Sequence, residues 1–144
     1  MRIGVPKEIK PQENRTGLTP ESVKILTSNG HKVLVENNCG FGAGFDNEQY
    51  KKVGAKIVNK VEDIFNDSEI IVKVKEPLAN EIKMIRENQI IFTYLHLAAG
   101  KQLTEGLVKS KSVCIAYETV TDNNGRLPLL APMSAVAGRM SIQA

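Results

Sequence analysis

The sequence predicts an α/β fold in which a doubly wound, mostly parallel sheet carries helices on both faces. Short β-branched runs alternate with helical segments along the 144 residues, the order typical of parallel sheets with helical crossovers. The runs at residues 70–72 and 90–92 are apolar at consecutive positions, as expected of strands that are covered on both faces. The apolar share of 42% and the charged share of 24% indicate a packed domain rather than a disordered chain.

The first helix has the clearest local signals. Thr19 can cap its start, Pro20 fits the first helical position, and Gly30 can close its end. Six strands are predicted, at residues 2–5, 32–35, 56–58, 69–75, 89–95 and 112–117. Further helices are predicted between the strands, at residues 46–53, 61–66, 80–87 and 102–109.

Composition argues against several classes of protein. A net charge of +3 with both signs interspersed, and no tryptophan, give no support for a nucleic-acid partner. Cys39 and Cys114 stand alone, so neither a disulfide framework nor a metal site is indicated, and a reducing, cytoplasmic setting is expected. The uncharged stretches 88–100 and 127–138 are shorter than the roughly 20 residues that a membrane helix needs.

Four chargeable residues are predicted at one edge of the sheet. Ligands of open parallel sheets bind outside the carboxyl ends of the strands, where the loops converge on a crevice. Lys75, His96 and Glu118 each lie at or just after the end of a predicted strand, and Arg15 lies in the long connection after the first strand. The sequence therefore predicts a polar site in this crevice.

Each of these residues also has a simpler interpretation. Arg15 can bind a carboxylate through two parallel N–H···O hydrogen bonds, or it can be an ordinary solvated arginine. Lys75 can bind a carbonyl or carboxylate, or lie on the surface, and Lys73 is expected to run across an edge or a helix with its ammonium in water. His96 can exchange protons near neutral pH, or be a structural histidine at the end of an apolar strand.

The glycine-rich segment at residues 39–45 resembles a dinucleotide-binding turn only superficially. The fingerprint requires G-x-G-x-x-G, and Phe45 occupies the position of the third glycine. A flexible surface loop is expected instead, closed by Asp46 as the cap of the next helix. The predicted fold is thus Rossmann-like without the nucleotide fingerprint.

Several separated motifs, in the correct order, resemble the alanine dehydrogenase and pyridine-nucleotide transhydrogenase family. They lie at residues 1–8, 13–15, 19–20, 39–45, 72–77 and 94–98. The resemblance covers nearly all of the chain. Transhydrogenase subunits typically lack a lysine and a histidine at the positions of Lys75 and His96, so this chain is more similar to the alanine dehydrogenase branch.

This resemblance implies NAD-dependent interconversion of L-alanine with pyruvate and ammonia. Arg15 and Lys75 would hold the carboxylate and carbonyl side of the substrate, and His96 would be the acid/base group. The remaining site residues implied by the family are Tyr94 and Met133, as walls of the substrate pocket, and Ser134, as a contact to the nicotinamide of NAD. Function as a homo-oligomer, a hexamer in the family, is also implied.

The chain departs from the family in its length, because family members are more than twice as long. Residues 1–131 are expected to form the substrate and catalytic domain, and residues 132–144 to begin a connecting helix towards an NAD-binding domain. The 144 residues alone are therefore expected to be inactive. Two alternatives remain open at this point: a catalytically silent binding or assembly module, and a domain of a transhydrogenase alpha-type subunit.

Overall fold

A computed structural model describes residues 1–142 and contains one six-stranded sheet. Every strand pair is parallel. The strands are β1 (Arg2–Val5), β2 (Lys32–Glu36), β3 (Lys56–Val58), β4 (Ile70–Val72), β5 (Ile90–Thr93) and β6 (Val113–Ala116). Their spatial order is β3-β2-β1-β4-β5-β6, which is the doubly wound order of Rossmann-like domains. The predicted fold class is confirmed.

The helices of residues 1–142 lie in the connections between the strands and after the last one. They are α1 (Pro20–Ser28), α2 (Asn47–Lys52), α3 (Val61–Asp67), α4 (Ala79–Ile82), α5 (Lys101–Ser110) and α6 (Ala131–Met140). The start of α1 is as predicted, since the Thr19 side chain accepts a hydrogen bond from the Ser22 amide and Pro20 opens the helix. Gly30 follows the cap residue Asn29 with a φ of 79°, a conformation that glycine adopts without steric cost. No helix in this part of the chain is long and apolar enough to cross a membrane.

The sheet separates two hydrophobic cores. On one face, α1 and α2 pack through Val23 and Tyr50 against alternate residues of β1 and β2. On the other face, α3 and α5 pack through Ile64, Phe65 and Leu107. Helices therefore lie on both faces, as predicted.

One half of the first face is bare within residues 1–142. The strand register places Ile90 beside Val113 and Phe92 beside Ile115, on the face that α1 and α2 cover farther along the sheet. Val113 and Ile115 are nevertheless 48% and 41% exposed. Among the described residues, no helix is packed against these two side chains at the β5–β6 end.

Some elements are shorter than predicted. Helix α4 ends at Ile82 rather than at residue 87, because the chain then turns to place Arg86 and Gln89 against the end of α3. Both side chains donate hydrogen bonds to the carbonyl oxygens of Phe65 and Ser68, at distances of 2.7–3.2 Å. Strand β4 ends at Val72 rather than at residue 75, since its neighbour β1 has already ended.

The order of the strands fixes the position of the crevice. Successive crossovers run outward from β1 to β3 in one direction and from β4 to β6 in the other. The direction reverses between β1 and β4, and the loops after these two strands separate at that point. The segment after β1, which contains Arg15, and the segment after β4, which contains Lys75, border this crevice.

Candidate functional site

The loop between β1 and α1 is pressed against the end of β4. A Cβ atom added to Gly17 would lie 2.5 Å from the carbonyl oxygen of Val72, so no other residue fits there without moving the backbone. The Tyr50 hydroxyl donates a hydrogen bond to the Leu18 carbonyl at 2.8 Å and holds the other side of the loop. This packing places Arg15 beside the end of β4.

Arg15 is held by a neighbour in its own loop. Its Nε and Nη2 atoms donate to the two carboxylate oxygens of Glu13, at 2.7 and 2.5 Å. The Arg15 side chain keeps 41% of its surface exposed, whereas Glu13 keeps 7%. The hydrogen bond to Arg15 lowers the pKa of Glu13, and the same bond raises the pKa of Arg15. Glu13 thus fixes one edge of the guanidinium, whereas within residues 1–142 the Nη1 atom has only a weak contact of 3.7 Å with the Met133 sulfur.

Lys75 lies in the segment that continues β4 beyond Val72. Its amide donates to Glu8, and its carbonyl accepts a hydrogen bond from the Thr93 hydroxyl at 2.9 Å. The residue is partly buried, and its positive charge contributes to the lowered pKa of Glu13. The Lys75 charge therefore acts on the same Glu13 carboxylate that pairs with the neighbouring arginine.

Lys73 corrects an expectation from the sequence. Its side chain is 1% exposed rather than extended towards water. The Nζ atom lies 2.7 Å from Glu81 and 3.4 Å from Glu8, both of which are also buried. Because a buried charge needs partners, the two carboxylates explain how lysine is tolerated in the interior.

Tyr94 lines the crevice. Its ring packs edge-on against Tyr117 with 5.0 Å between the ring centroids, and its hydroxyl donates to the Leu129 carbonyl at 2.7 Å. Burial raises the pKa of Tyr117, so this neighbour remains a neutral phenol at ordinary pH. A mainly apolar cleft of about 680 Å³ extends from Arg15 past Tyr94 to the bare half of the sheet.

His96 has an uncommon backbone conformation. Its φ is 49° and its ψ is 44°, in the left-handed region that few non-glycine residues adopt. Glu118 stabilises this turn, because its carboxylate accepts the His96 amide at 2.7 Å and the Leu95 amide at 3.1 Å. The residue is exposed, and no hydrogen bond of the described residues joins its imidazole to Arg15 or Lys75.

Met133 and Ser134 lie in the first turns of α6. Every residue of this helix is exposed. Met133 reaches Arg15, whereas the Ser134 amide bonds the Leu130 carbonyl within the helix start. Among the described residues, no hydrogen bond joins the Ser134 side chain to the other site residues.

The structure thus separates the predicted site residues into two groups. Arg15 and Tyr94 line the cleft, Met133 contacts Arg15, and Lys75 lies in the segment after β4 that borders the crevice. The other two, His96 and Ser134, are exposed, and neither lines the cleft.

The glycine-rich segment does not fit the pyrophosphate of a dinucleotide. Two of its three glycines serve packing: a Cβ at Gly40 would lie 2.6 Å from the Tyr50 hydroxyl, and one at Gly42 would lie 2.7 Å from Asn14. Asp46 caps α2 with its carboxylate, as predicted, and so places a negative charge where a phosphate would bind. The segment is also less free than expected, because its first two residues are buried.

The thiol of Cys39 is buried at the start of this segment, so its rate of chemical modification reports on how tightly the segment is packed. Desolvation raises the pKa of Cys39 from 9.0 to about 11, which at pH 8 leaves roughly 100-fold less reactive thiolate. We expect iodoacetamide to modify the partly exposed Cys114 first and Cys39 only after urea is added. Mass spectrometry of peptides checks the order, with Cys114→Ser as the control; rapid labelling of Cys39 in that variant would contradict a packed loop.

Sequence reasoning does not identify several residues that support the site. Glu8, Glu13 and Glu81 are each close in space to a cationic partner, but only the position of Glu13, two residues before Arg15, gives a local signal. Glu118 is predicted at the correct edge, yet its bonds to the amides of residues 95 and 96 link positions more than 20 residues apart.

The strand order and the helices on both faces define a Rossmann-like α/β domain, and comparison with known proteins agrees with this fold. Residues 4–137 match the family "Alanine dehydrogenase/PNT, N-terminal domain". The chain belongs to this family.

The curated relatives are much longer than this chain. An alanine dehydrogenase of Staphylococcus epidermidis is 53% identical over 143 residues, which cover 99% of this chain and 38% of that protein. One of Halomonas elongata is 51% identical over 144 residues, or 100% of this chain and 39% of that protein. The chain thus spans about two fifths of the length of the curated relatives it matches.

Solved structures give the same result. An L-alanine dehydrogenase superposes with a TM-score of 0.94 at 51% identity, covering 99% of this chain and 39% of that one. A transhydrogenase from Sinorhizobium meliloti superposes with a TM-score of 0.77 at 26% identity, covering 82% of this chain and 35% of that one. Both branches of the family are related to this chain, and these alanine dehydrogenases are more similar to it than that transhydrogenase.

Proposed function

We propose that this chain is the substrate domain of an NAD-dependent L-alanine dehydrogenase, which converts L-alanine, NAD⁺ and water to pyruvate, ammonium, NADH and a proton. The observation that carries the proposal is the packing of the Arg15 loop against the end of β4, just before Lys75, beside the Tyr94 wall of the cleft. The identity of 53% to an alanine dehydrogenase, compared with 26% to a transhydrogenase, supports this branch of the family.

Each residue of the proposed site has a role that follows from its charge and its chemistry. Arg15, with one edge fixed by Glu13, binds the substrate carboxylate through its remaining N–H groups. Lys75 donates to the carbonyl oxygen on the C2 side, and Tyr94 lines the pocket together with the methionine at position 133. His96 takes and returns the protons that must move when the amine is lost and the carbonyl is formed, since an imidazole can do both near neutral pH.

NAD⁺ accepts the hydride in the proposed reaction. The segment at residues 39–46 does not fit its pyrophosphate, so the main cofactor-binding domain has to come from other parts of a longer protein. Ser134 would contact the nicotinamide from the exposed start of α6. In this arrangement residues 1–131 form the substrate domain and residues 132–144 begin the connection to the NAD-binding domain.

The setting of the enzyme is part of the proposal. A cytoplasmic enzyme that acts on a small molecule fits the two free cysteines and the interspersed charges. A homo-oligomer, a hexamer as in the family, would provide cover for exposed apolar residues such as Val113 and Ile115.

A chimaeric enzyme tests the proposal directly. Residues 1–143 of this chain replace the matching N-terminal segment of the Staphylococcus epidermidis alanine dehydrogenase, with which the chain shares 53% identity. We expect NADH formation that depends on L-alanine, and no such activity from the 144-residue chain alone. A folded chimaera that binds NAD but does not oxidise L-alanine would instead favour a silent binding or assembly module.

Replacing Arg15 by lysine tests the carboxylate grip. A single ammonium cannot keep the two-pronged contact or the pair with Glu13, so KM for pyruvate should rise about 10-fold or more while kcat changes less. Steady-state oxidation of NADH at varied pyruvate measures both constants. Arg2→Lys, at the opposite edge of β1, is the matched control. If KM is unchanged in Arg15→Lys, the carboxylate binds elsewhere.

A further inference from the structure

We propose that Glu8 is a positioning residue for Lys75, an inference that rests on the proposed function of the crevice. The carboxylate of Glu8 accepts the amides of the bend that follows β4. It holds the backbone of Val74 and Lys75 without itself reaching the substrate.

The end of β4 lacks a strand on one side. Strand β1 ends just before Pro6, which has no amide hydrogen. On the other side two further backbone hydrogen bonds join this segment to β5 and the residue after it: the Lys73 amide donates to the Phe92 carbonyl, and the Tyr94 amide donates to the Val74 carbonyl. The amides that face away from β5 therefore need another acceptor, because buried N–H groups are costly when unpaired.

Glu8 supplies that acceptor. Its Oε1 atom accepts the amide of Val74 at 2.6 Å and the amide of Lys75 at 3.2 Å. Glu8 follows the end of β1 closely in the chain, so its carboxylate closes the gap at the point where the two strands diverge in space. The Lys75 carbonyl is fixed in turn by the Thr93 hydroxyl at 2.9 Å.

The buried ammonium of Lys73 stabilises Glu8 in this role. The Glu8 side chain is 2% exposed, and its second oxygen, Oε2, lies 3.4 Å from Lys73 Nζ. Lys73 is bonded in addition to Glu81 at 2.7 Å, whose other oxygen accepts the Leu78 amide. The cluster of Glu8, Lys73 and Glu81 thus connects the β1 loop, the end of β4 and helix α4.

These bonds fix the backbone of Lys75, from which its side chain extends. With its amide and carbonyl both bonded, only the side-chain rotamers remain free to place the ammonium. Misplacing a reacting group by about 1 Å can cost roughly 100-fold in rate. Glu8 therefore acts on the proposed reaction through Lys75.

Hydrogen exchange measured by NMR on the 144-residue chain tests the geometry without any activity. Glu8→Ala should speed exchange of the Val74 and Lys75 amides by about 10-fold or more, and leave the Ile71 amide inside β4 unchanged. Glu8→Gln keeps an acceptor oxygen and should retain most of the protection. Glu69→Ala is the matched control, because Glu69 accepts a backbone amide of β1 at 2.6 Å at the opposite end of β4.

Kinetics of the same variants in the chimaeric enzyme test the functional part. We expect kcat/KM for pyruvate to fall about 10- to 100-fold in Glu8→Ala and to return to within about fivefold of the unmodified chimaera in Glu8→Gln. Glu69→Ala should behave like the unmodified chimaera. Recovery of kcat/KM in Glu8→Gln distinguishes a loss of the hydrogen bonds to the two amides from a general loss of folding.

The possible results separate this inference from the proposed function. An active chimaera in which Glu8→Ala keeps full kcat/KM overturns the positioning role and leaves the proposed function intact. Glu8→Gln as poor as Glu8→Ala also overturns it, since the charge rather than the acceptor oxygen would then matter. An inactive but folded chimaera overturns the proposed function and the role of Glu8 in it together.

Discussion

Replacing Lys73 by methionine is expected to lower the free energy of unfolding by about 3–5 kcal/mol, the usual cost of breaking a buried ion pair from one side. Methionine fills a similar volume, so a cavity contributes little. It leaves Glu8 and Glu81 buried and close together without the ammonium that both now contact. Urea unfolding followed by circular dichroism, with linear extrapolation to water, measures the change.

Two variants identify the cause of that loss. Lys75→Met removes a neighbouring lysine that has no ion pair within the described residues, and it should cost less than about 1 kcal/mol. Combining Lys73→Met with Glu8→Gln and Glu81→Gln removes all three charges and should recover part of the lost stability. A loss below about 1 kcal/mol in Lys73→Met would mean that the cluster contributes little to the fold.

The strands and the first helix are predictable from the sequence because their signals are local. Six β-branched runs mark the six strands, and Thr19 and Pro20 mark the start of α1. The crevice follows from them, since strand order and the ends of parallel strands leave few positions for polar loops. The amino-acid sequence is therefore sufficient to assign Arg15 and Lys75 to one edge of the sheet.

The residues that hold the site residues in place are not predictable in this way, because their contacts join segments that are distant in the sequence. Alternation along the predicted strand 69–75 indicates a Lys73 that extends towards water, but its burial depends on Glu81 in the next helix and on Glu8, which lies 65 residues away. Glu118 reaches the backbone of the predicted acid/base residue across 22 residues. The bare half of the sheet also cannot be predicted from local sequence. The strand pattern shows that Val113 and Ile115 are apolar, but it does not show whether a helix covers them.

Replacing His96 by asparagine in the chimaeric enzyme is expected to lower kcat by about 100-fold or more, the typical cost of losing an acid/base group. Asparagine suits this test because it tolerates the left-handed conformation that His96 adopts at a φ of 49°, so the turn held by Glu118 should persist. Stopped-flow or steady-state measurement of NADH with saturating L-alanine gives kcat for each variant.

The second histidine provides the control that makes this result specific. His31 lies at the other edge of the sheet, where its Nδ1 atom is 3.3 Å from the amino terminus. His31→Asn should therefore leave kcat unchanged. If His96→Asn also kept the kcat of the unmodified chimaera, the proton would have to move through another group. The left-handed turn at His96 would then be a feature of the loop alone, and the catalytic part of the proposed site would reduce to the carboxylate grip of Arg15 and the ammonium of Lys75.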